Sequence, residues 1–241
     1  MKAHRACCPN GCRLAQLLEF NAGAGAITKA AHDAGLVAWG IDKTYDKSHD
    51  CMRPRGLRTW LMLLTLTREG TLVWLAPECK SWLWLTRYCS GRSHQRIMGY
   101  EDRDWVRRAN NLTYRTALVI LLTKMAEVYV VLEQPVSSLM AHVPHIRAAL
   151  RWVSGQRHCA WLGSYGAPSP KPVHLVGNCP WLWELHRRKR KHSFLLCVTK
   201  NGKVNGNHAA LSRSQVYPDA FGKAVAIKHF DHFLSLAPLE L

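Results

Sequence analysis

Acidic residues are scarce in this chain of 241 residues: Asp and Glu total 16 against 33 Lys and Arg, a formal net charge of +17 with His neutral. A chain so poor in carboxylates cannot balance its own cations, so its field gathers polyanions, of which nucleic acid is the commonest. Long apolar runs are also missing. The stretches 116–123 and 128–132 are cut short by Lys124, Glu127 and Glu133, well below the roughly 20 residues that span a bilayer, which argues against a membrane protein. Lys2 and Arg5 are followed by Cys7, Cys8, Pro9, Asn10, Gly11 and Cys12 where a secretory leader would be apolar, so an intracellular location is expected. A disulfide framework is absent too: nine cysteines, an odd number, are scattered along the chain and read as reduced thiols. His4, Cys7, Cys8 and Cys12 lack the second CxxC or HxxxH half of a tetrahedral zinc site, and no metal is expected.

What is present is a globular composition. With 48% hydrophobic and 20% charged residues, the chain can bury a sizeable core, which excludes a disordered basic tail and predicts one domain with a small appendage. The cations cluster. Arg187, Arg188, Lys189, Arg190 and Lys191 are consecutive, and Arg103, Arg107, Arg108 and Arg115 recur through one helical stretch. Such runs contact phosphate or serve as a nuclear address, so nuclear placement is an expectation. Most of the ten Trp residues sit in apolar runs such as Trp82-Leu83-Trp84-Leu85 and read as core.

Alternation of apolar runs, turns and amphipathic stretches predicts strands at 14–20, 36–41, 71–75 and 128–132 and helices at 26–34, 57–66, 104–125, 137–152 and 220–236. The polar stretch 89–104 reads as a mobile loop. Strands separated by such helices imply an α/β class: a Rossmann-like, doubly wound, mostly parallel sheet with a small irregular C-terminal insertion. The expected division is 1–177 with 213–241 as the main domain and 178–212 as a small basic insertion, irregular or hairpin-like around Asn201-Gly202 and Asn205-Gly206. The chemistry-bearing residues Gly23, Gly25, Asp42, Cys79 and Glu133 all follow the C-terminal ends of predicted strands, where open α/β sheets bind ligands. The Gly-rich turn with Asp42 after the next strand fits a nucleoside-containing cofactor, while Cys79 and Glu133 supply a nucleophile and an acid.

In order along the chain, Glu19-Phe20-Asn21-Ala22-Gly23-Ala24-Gly25, Asp42, Pro77-Glu78-Cys79-Lys80, Leu132-Glu133-Gln134-Pro135, Tyr165-Gly166-Ala167-Pro168 and Phe221-Gly222-Lys223-Ala224-Val225 resemble the DNA cytosine-5 methyltransferases. Those enzymes show DLFxGxG, an acidic ribose binder, PCQ, ENV, YGxPQxRxR and GNAV in the same order. The resemblance implies S-adenosylmethionine held by Asn21, Gly23, Gly25, Asp42, Pro77 and Val225. It implies that Cys79 adds to carbon 6 of a flipped-out cytosine, with Glu133 at the ring nitrogen and Lys171 as the remaining cation near the base. Arg92, Ser93 and the run from Arg187 to Lys191 are the expected nucleic-acid contacts, with DNA favoured over RNA and a monomer expected.

Departures accompany the matches. Asn21 replaces an aromatic, Glu133-Gln134-Pro135 replaces ENV, Lys223 replaces an Asn, and Ser169, Lys171 and Val173 stand where QxRxR has Gln and two arginines. Lysine does not reproduce the bidentate guanidinium fork. The expected recognition segment at 178–212 is also short for this family. A catalytically degenerate relative that binds nucleic acid is therefore the alternative expectation. A nicotinamide oxidoreductase is a further alternative, disfavoured because Thr28 occupies the place of the third glycine.

Overall fold

Leu17 and Leu18 point to opposite sides of the first strand, and both are wholly buried, because the sheet they belong to is covered on each face. The computed structural model describes residues 14–187, 197–200, 203–206 and 216–236. Its main sheet has six strands: β1 (Ala15–Phe20), β2 (Ala38–Ile41), β3 (Thr67–Leu75), β4 (Tyr129–Pro135), β5 (Gln156–Trp161) and β6 (Pro172–Gly177), in the order β2-β1-β3-β4-β6-β5. The first four are mutually parallel, and β6 runs antiparallel to both its neighbours. The helices are α1 (Ala26–Asp33), α2 (Pro54–Leu64), α3 (Arg87–Ser90), α4 (Asp104–Met125), α5 (Pro144–Trp152) and α6 (Asp219–Ser235).

One face of the sheet, with Leu18, Phe20, Val73 and Leu132, packs on Trp60 of α2, Ile120 of α4 and Ile146 of α5. The opposite face, with Leu17, Leu72, Trp74 and Val131, packs on Ile27 of α1 and on Phe221 and Val225 of α6. The expected return of the last helix onto the main domain is realised in the α1–α6 contact. Gly222 permits it: a Cβ there would lie 2.5 Å from the Ala26 carbonyl oxygen, a distance only glycine tolerates.

Several expectations shift. The helix expected from 137 begins at Pro144, since proline belongs in the first turn of a helix and not in its interior. A short 3-10 turn, Met140–His142, fills the gap. The strands β5 and β6 were not expected, because Pro168, Pro170 and Pro172 punctuate their approach; Pro172 opens β6, a position strands tolerate. Within the expected insertion, β7 (Cys197–Lys200) and β8 (Lys203–Gly206) pair antiparallel, the hairpin form expected there. Among the described residues no helix is long and apolar enough to cross a membrane. His4, Cys7, Cys8 and Cys12 lie outside the described residues.

Candidate functional site

Strand register assembles the site. Phe20 pairs with Ile41 and Leu75, and Leu75 with Leu132, so the segments that follow these strands emerge side by side along one edge. The reversed strand β6 begins at that same edge, with Val173 paired to Pro135, and this delivers Lys171 to the place where Asn21, Asp42, Cys79 and Glu133 converge.

The turn after β1 holds Asn21, Gly23 and Gly25 in the left-handed region, with φ of 59°, 56° and 67°. Glycine adopts this freely, whereas Asn21 is an outlier tolerated because its side chain is short and polar. Asp42 clasps the turn: the Gly23 N–H donates to its Oδ2 at 3.0 Å, and the Thr44 N–H and hydroxyl donate to its Oδ1 at 2.8 and 2.7 Å. Burial alone would raise the Asp42 carboxyl, but these three donors prevail and hold it below its ordinary range. Behind the turn, wholly buried Glu19 accepts from the Thr28 N–H and hydroxyl on one oxygen, Oε2, at 2.8 and 2.6 Å. Burial pushes its carboxyl up to about 7 against the pull of those bonds. The other oxygen, Glu19 Oε1, and the nearby Asn21 Oδ1 are buried acceptors without a donor. The Tyr45 hydroxyl leans over the turn, 2.9 Å from where a Cβ on Gly25 would stand.

Further along the edge, Cys79 follows buried Pro77 on a loop that β4 anchors: Gln134 Nε2 donates to the Pro77 carbonyl at 2.9 Å, and the Ser138 hydroxyl donates to Gln134 Oε1 at 2.8 Å. Gln134, a departure from the ENV pattern, thus positions the cysteine loop. Burial first, then the Glu133 carboxylate, pushes the Cys79 thiol up to about 11, and Lys171 opposes both. Burial likewise raises Glu133 above the ordinary carboxyl range, while Lys171 and a hydrogen bond from Tyr217 pull the other way. Tyr217 accepts from the indole N–H of Trp74 at 3.3 Å, so an N–H to O–H to carboxylate chain ends on Glu133. Lys171 has a φ of 30°, unusual for a side-chain-bearing residue. The structure therefore brings together Cys79, Glu133 and Lys171, three residues singled out in the sequence. Tyr217, Gln134 and Glu19 complete the site. Glu19 lay within a recognised motif, whereas nothing local marks Tyr217.

A cleft of about 490 Å³ opens beside this edge. It is lined by Asn21, Lys43, Glu78 and Lys80 on one side and by Met52, Trp105, Ala109 and Leu112 on the other, within the size range of small-molecule sites. Glu78 and Lys80, the chain neighbours of Cys79, line the cleft, while the thiol itself does not. Glu78 pairs with Lys43 at 3.0 Å, with both side chains more than half exposed.

Other expected contacts fall elsewhere. Val225 is wholly buried between α6 and α1 and presents no surface to a cofactor. Arg92, expected to touch phosphate, is 2% exposed. Its guanidinium stacks 3.4 Å from the Trp82 ring centroid and donates to the carbonyls of Ser81, Ile97 and Val106. It is a structural rivet for the 89–104 stretch, which was expected to be mobile and is instead fastened from within. Ser93 Oγ accepts from the Arg96 N–H at 3.0 Å, closing a local turn. Arg187 lies over the Tyr165 ring at 4.1 Å. The rest of the basic run, Arg188, Lys189, Arg190 and Lys191, lies outside the described residues. Compared with known protein-family models and with curated protein sequences, the chain matches none.

Proposed function

We propose that this chain is an S-adenosylmethionine-dependent methyltransferase of nucleic acid, with carbon 5 of cytosine in DNA as target, built on a Rossmann-like, doubly wound domain. The observation that carries this reading is the convergence of Cys79, Glu133 and Lys171 beside a left-handed Gly-rich turn clasped by Asp42, all on one edge of a mostly parallel sheet. The turn fits the cofactor by an unmatched acceptor. Asn21 lines the cleft and its Oδ1 has no donor, and S-adenosylmethionine carries an amino donor that would satisfy it. Three donors on Asp42 leave carboxylate lone-pair capacity for a ribose hydroxyl. When bound, S-adenosylmethionine supplies an electrophilic methyl group.

The protein's own residues account for activating the base. Cys79, as thiolate, adds to carbon 6 and makes carbon 5 nucleophilic; once carbon 5 has taken the methyl group, its proton passes to solvent, the bond from carbon 6 to Cys79 Sγ breaks, and the ring is restored with the thiolate released. Glu133, whose carboxyl is raised by burial above its ordinary range, would present a proton to the ring nitrogen, and the carboxylate left behind is stabilised by Lys171 and Tyr217. Lys171 also favours the thiolate of Cys79. In the free protein the thiol stays protonated at neutral pH, so the thiolate forms with the base in place. A base inside a duplex reaches Cys79 only by flipping out.

The raised thiol and the three donors already on Asp42 favour a second reading, a degenerate fold that binds nucleic acid without transfer. Calorimetric titration with S-adenosylmethionine separates the two. Micromolar binding, weakened roughly tenfold to a hundredfold in Asp42→Ala, is expected, and no binding by folded protein would overturn the enzyme reading.

A further inference from the structure

A second cluster of charge lies on the far side of the segments that carry Cys79 and Glu133. The chain after Cys79 and the chain after Glu133 are tied by the Leu139 N–H donating to the Trp82 carbonyl at 3.0 Å and by Arg87 Nη2 donating to the Ser137 carbonyl at 3.4 Å. Outside this junction Arg87, His94, His142, Arg147, Arg157 and His174 converge from five elements and a loop. The His94 and His142 rings meet edge to face at 5.1 Å. His174 on β6 faces Cys159 on β5, and Arg157 is two residues along the same face. His142 feels Arg157 of β5, His94 of the loop, Arg147 of α5 and Arg87 of α3, and His174 feels Arg157 and His142; among the described residues no carboxylate is a leading influence on either.

The cluster is exposed and uncompensated. His94, His142, Arg147 and Arg157 are exposed, and among the described residues none of the three arginines takes part in an ion pair. The Arg87 Nε is a buried donor with no acceptor. Holding six basic groups together without an acid costs Coulomb energy, and an anion relieves it. Beside Arg87, Tyr88 is 94% exposed, and Trp84 is 59% exposed. A flat aromatic surface next to cations is what unpaired bases stack on, and it favours nucleic acid over an acidic peptide or a lipid surface.

We propose that Arg87, His94, His142, Arg147, Arg157 and His174 form a docking site for the phosphodiester backbone of a single-stranded nucleic acid, and that protonation of His142 and His174 tightens the grip as pH falls. This deepens the reading above and rests on it for the polymer's route to Cys79: His174 pairs with Gln134, the neighbour of Glu133, so a strand held here runs on toward the catalytic edge. Burial and the surrounding arginines keep His142 and His174 below the ordinary imidazole range, so both are neutral at pH 8. Phosphates placed among the arginines reverse that repulsion, and binding takes up protons.

The test is fluorescence anisotropy of a labelled oligothymidylate with the full chain, at fixed ionic strength, near pH 5.5 and pH 8. The wild type is expected to bind about tenfold or more tightly at the lower pH, since each pKa unit gained by an imidazole on binding is a factor of ten. H142Q/H174Q should flatten this dependence while keeping the affinity at pH 8. R147Q/R157Q should weaken binding at both pH values and reduce the log–log salt slope by roughly 1.4, two phosphate contacts on a single strand. An unchanged pH dependence in the histidine pair, an unchanged affinity and salt slope in the arginine pair, or tighter binding to phosphatidylserine vesicles than to the oligonucleotide would overturn the site. Matching circular dichroism melts guard against misfolding. The assay needs neither cofactor nor Cys79. Patch-dependent binding without methyl transfer would refute the enzyme reading and leave the docking site standing; methyl transfer with neutral patch variants would do the reverse.

Discussion

The Gly-rich turn and the His-Arg cluster are opposites within one molecule. Around the turn, Glu19, Asn21 and Asp42 gather oxygen acceptors, two of them unmatched, although the chain carries only 16 carboxylates in all. On the outer flank of the junction between the cysteine and Glu133 segments, six basic groups meet, and among the described residues no acid is a leading influence on the two histidines most enclosed. An acceptor-rich pocket calls for a donor-bearing, cationic ligand, and a donor-rich flank calls for an anion. Cys79, Glu133 and Lys171 lie where two such ligands would meet, and neither region would identify a two-substrate reaction alone.

Removing the meeting point gives the largest effect. Cys79→Ala should abolish methyl transfer, a loss of about a thousandfold or more, while oligonucleotide binding is retained; labelled-methyl incorporation into DNA and RNA measures it. Glu19→Gln probes the acceptor side through stability. Its folded carboxyl titrates near 7 against an ordinary 4.5, so the folded state is favoured below about pH 4.5 and loses that advantage as pH rises through about 7. The substitution should therefore stabilise the protein at pH 8 by up to about 3 kcal/mol and leave it nearly unchanged at pH 4, as read from urea midpoints. Asp42→Ala should weaken S-adenosylmethionine by roughly tenfold to a hundredfold, the worth of a hydrogen bond to a charged group, with little change at the basic flank. Lys43→Ala, which breaks an exposed pair with Glu78, should alter stability by less than about 1 kcal/mol.

His229 supplies a control away from both regions. It is buried, bonded to the Gln16 carbonyl at 2.8 Å, and burial lowers it to about 4. Its folded state is therefore favoured above about pH 6.5, and that contribution fades as pH falls toward 4. His229→Gln should remove this loss of stability toward acid and leave in place the Glu19 slope, which runs the opposite way over much the same pH window.

The parts legible in the sequence were those fixed by local chemistry. Short buried strands, a Gly-rich turn and an acid at the next strand end announce themselves within a few residues, and the register of parallel strands does the rest. Lys171 was reached only through resemblance, because its place depends on β6 running backwards between β4 and β5, a pairing no local pattern encodes. Tyr217 precedes α6 and meets Glu133 through tertiary packing alone. Arg92 misled because an arginine beside Gly and Ser in a polar loop looks solvated; the stacking partner that draws it inside, Trp82, belongs to a different segment. Val225 misled for the converse reason: a motif position can serve helix packing as well as a ligand.

The reversal of β6 also governs where the chain goes next. That strand enters at the edge that carries Cys79 and leaves at the opposite one, where Gly177 pairs with Val131 and Gln156. Yet the Leu185 carbonyl accepts the hydroxyl of Tyr165, just past the C-terminal end of β5, at 2.7 Å, and Arg187 lies on the same ring. The polypeptide from 178 to 187 therefore turns back along β5, where His186 Nδ1 meets the Cys159 carbonyl at 2.8 Å. It acts as a return cable, and the first arginine of the basic run stands at the end of the sheet that carries Cys79 and not at the end where β6 finishes.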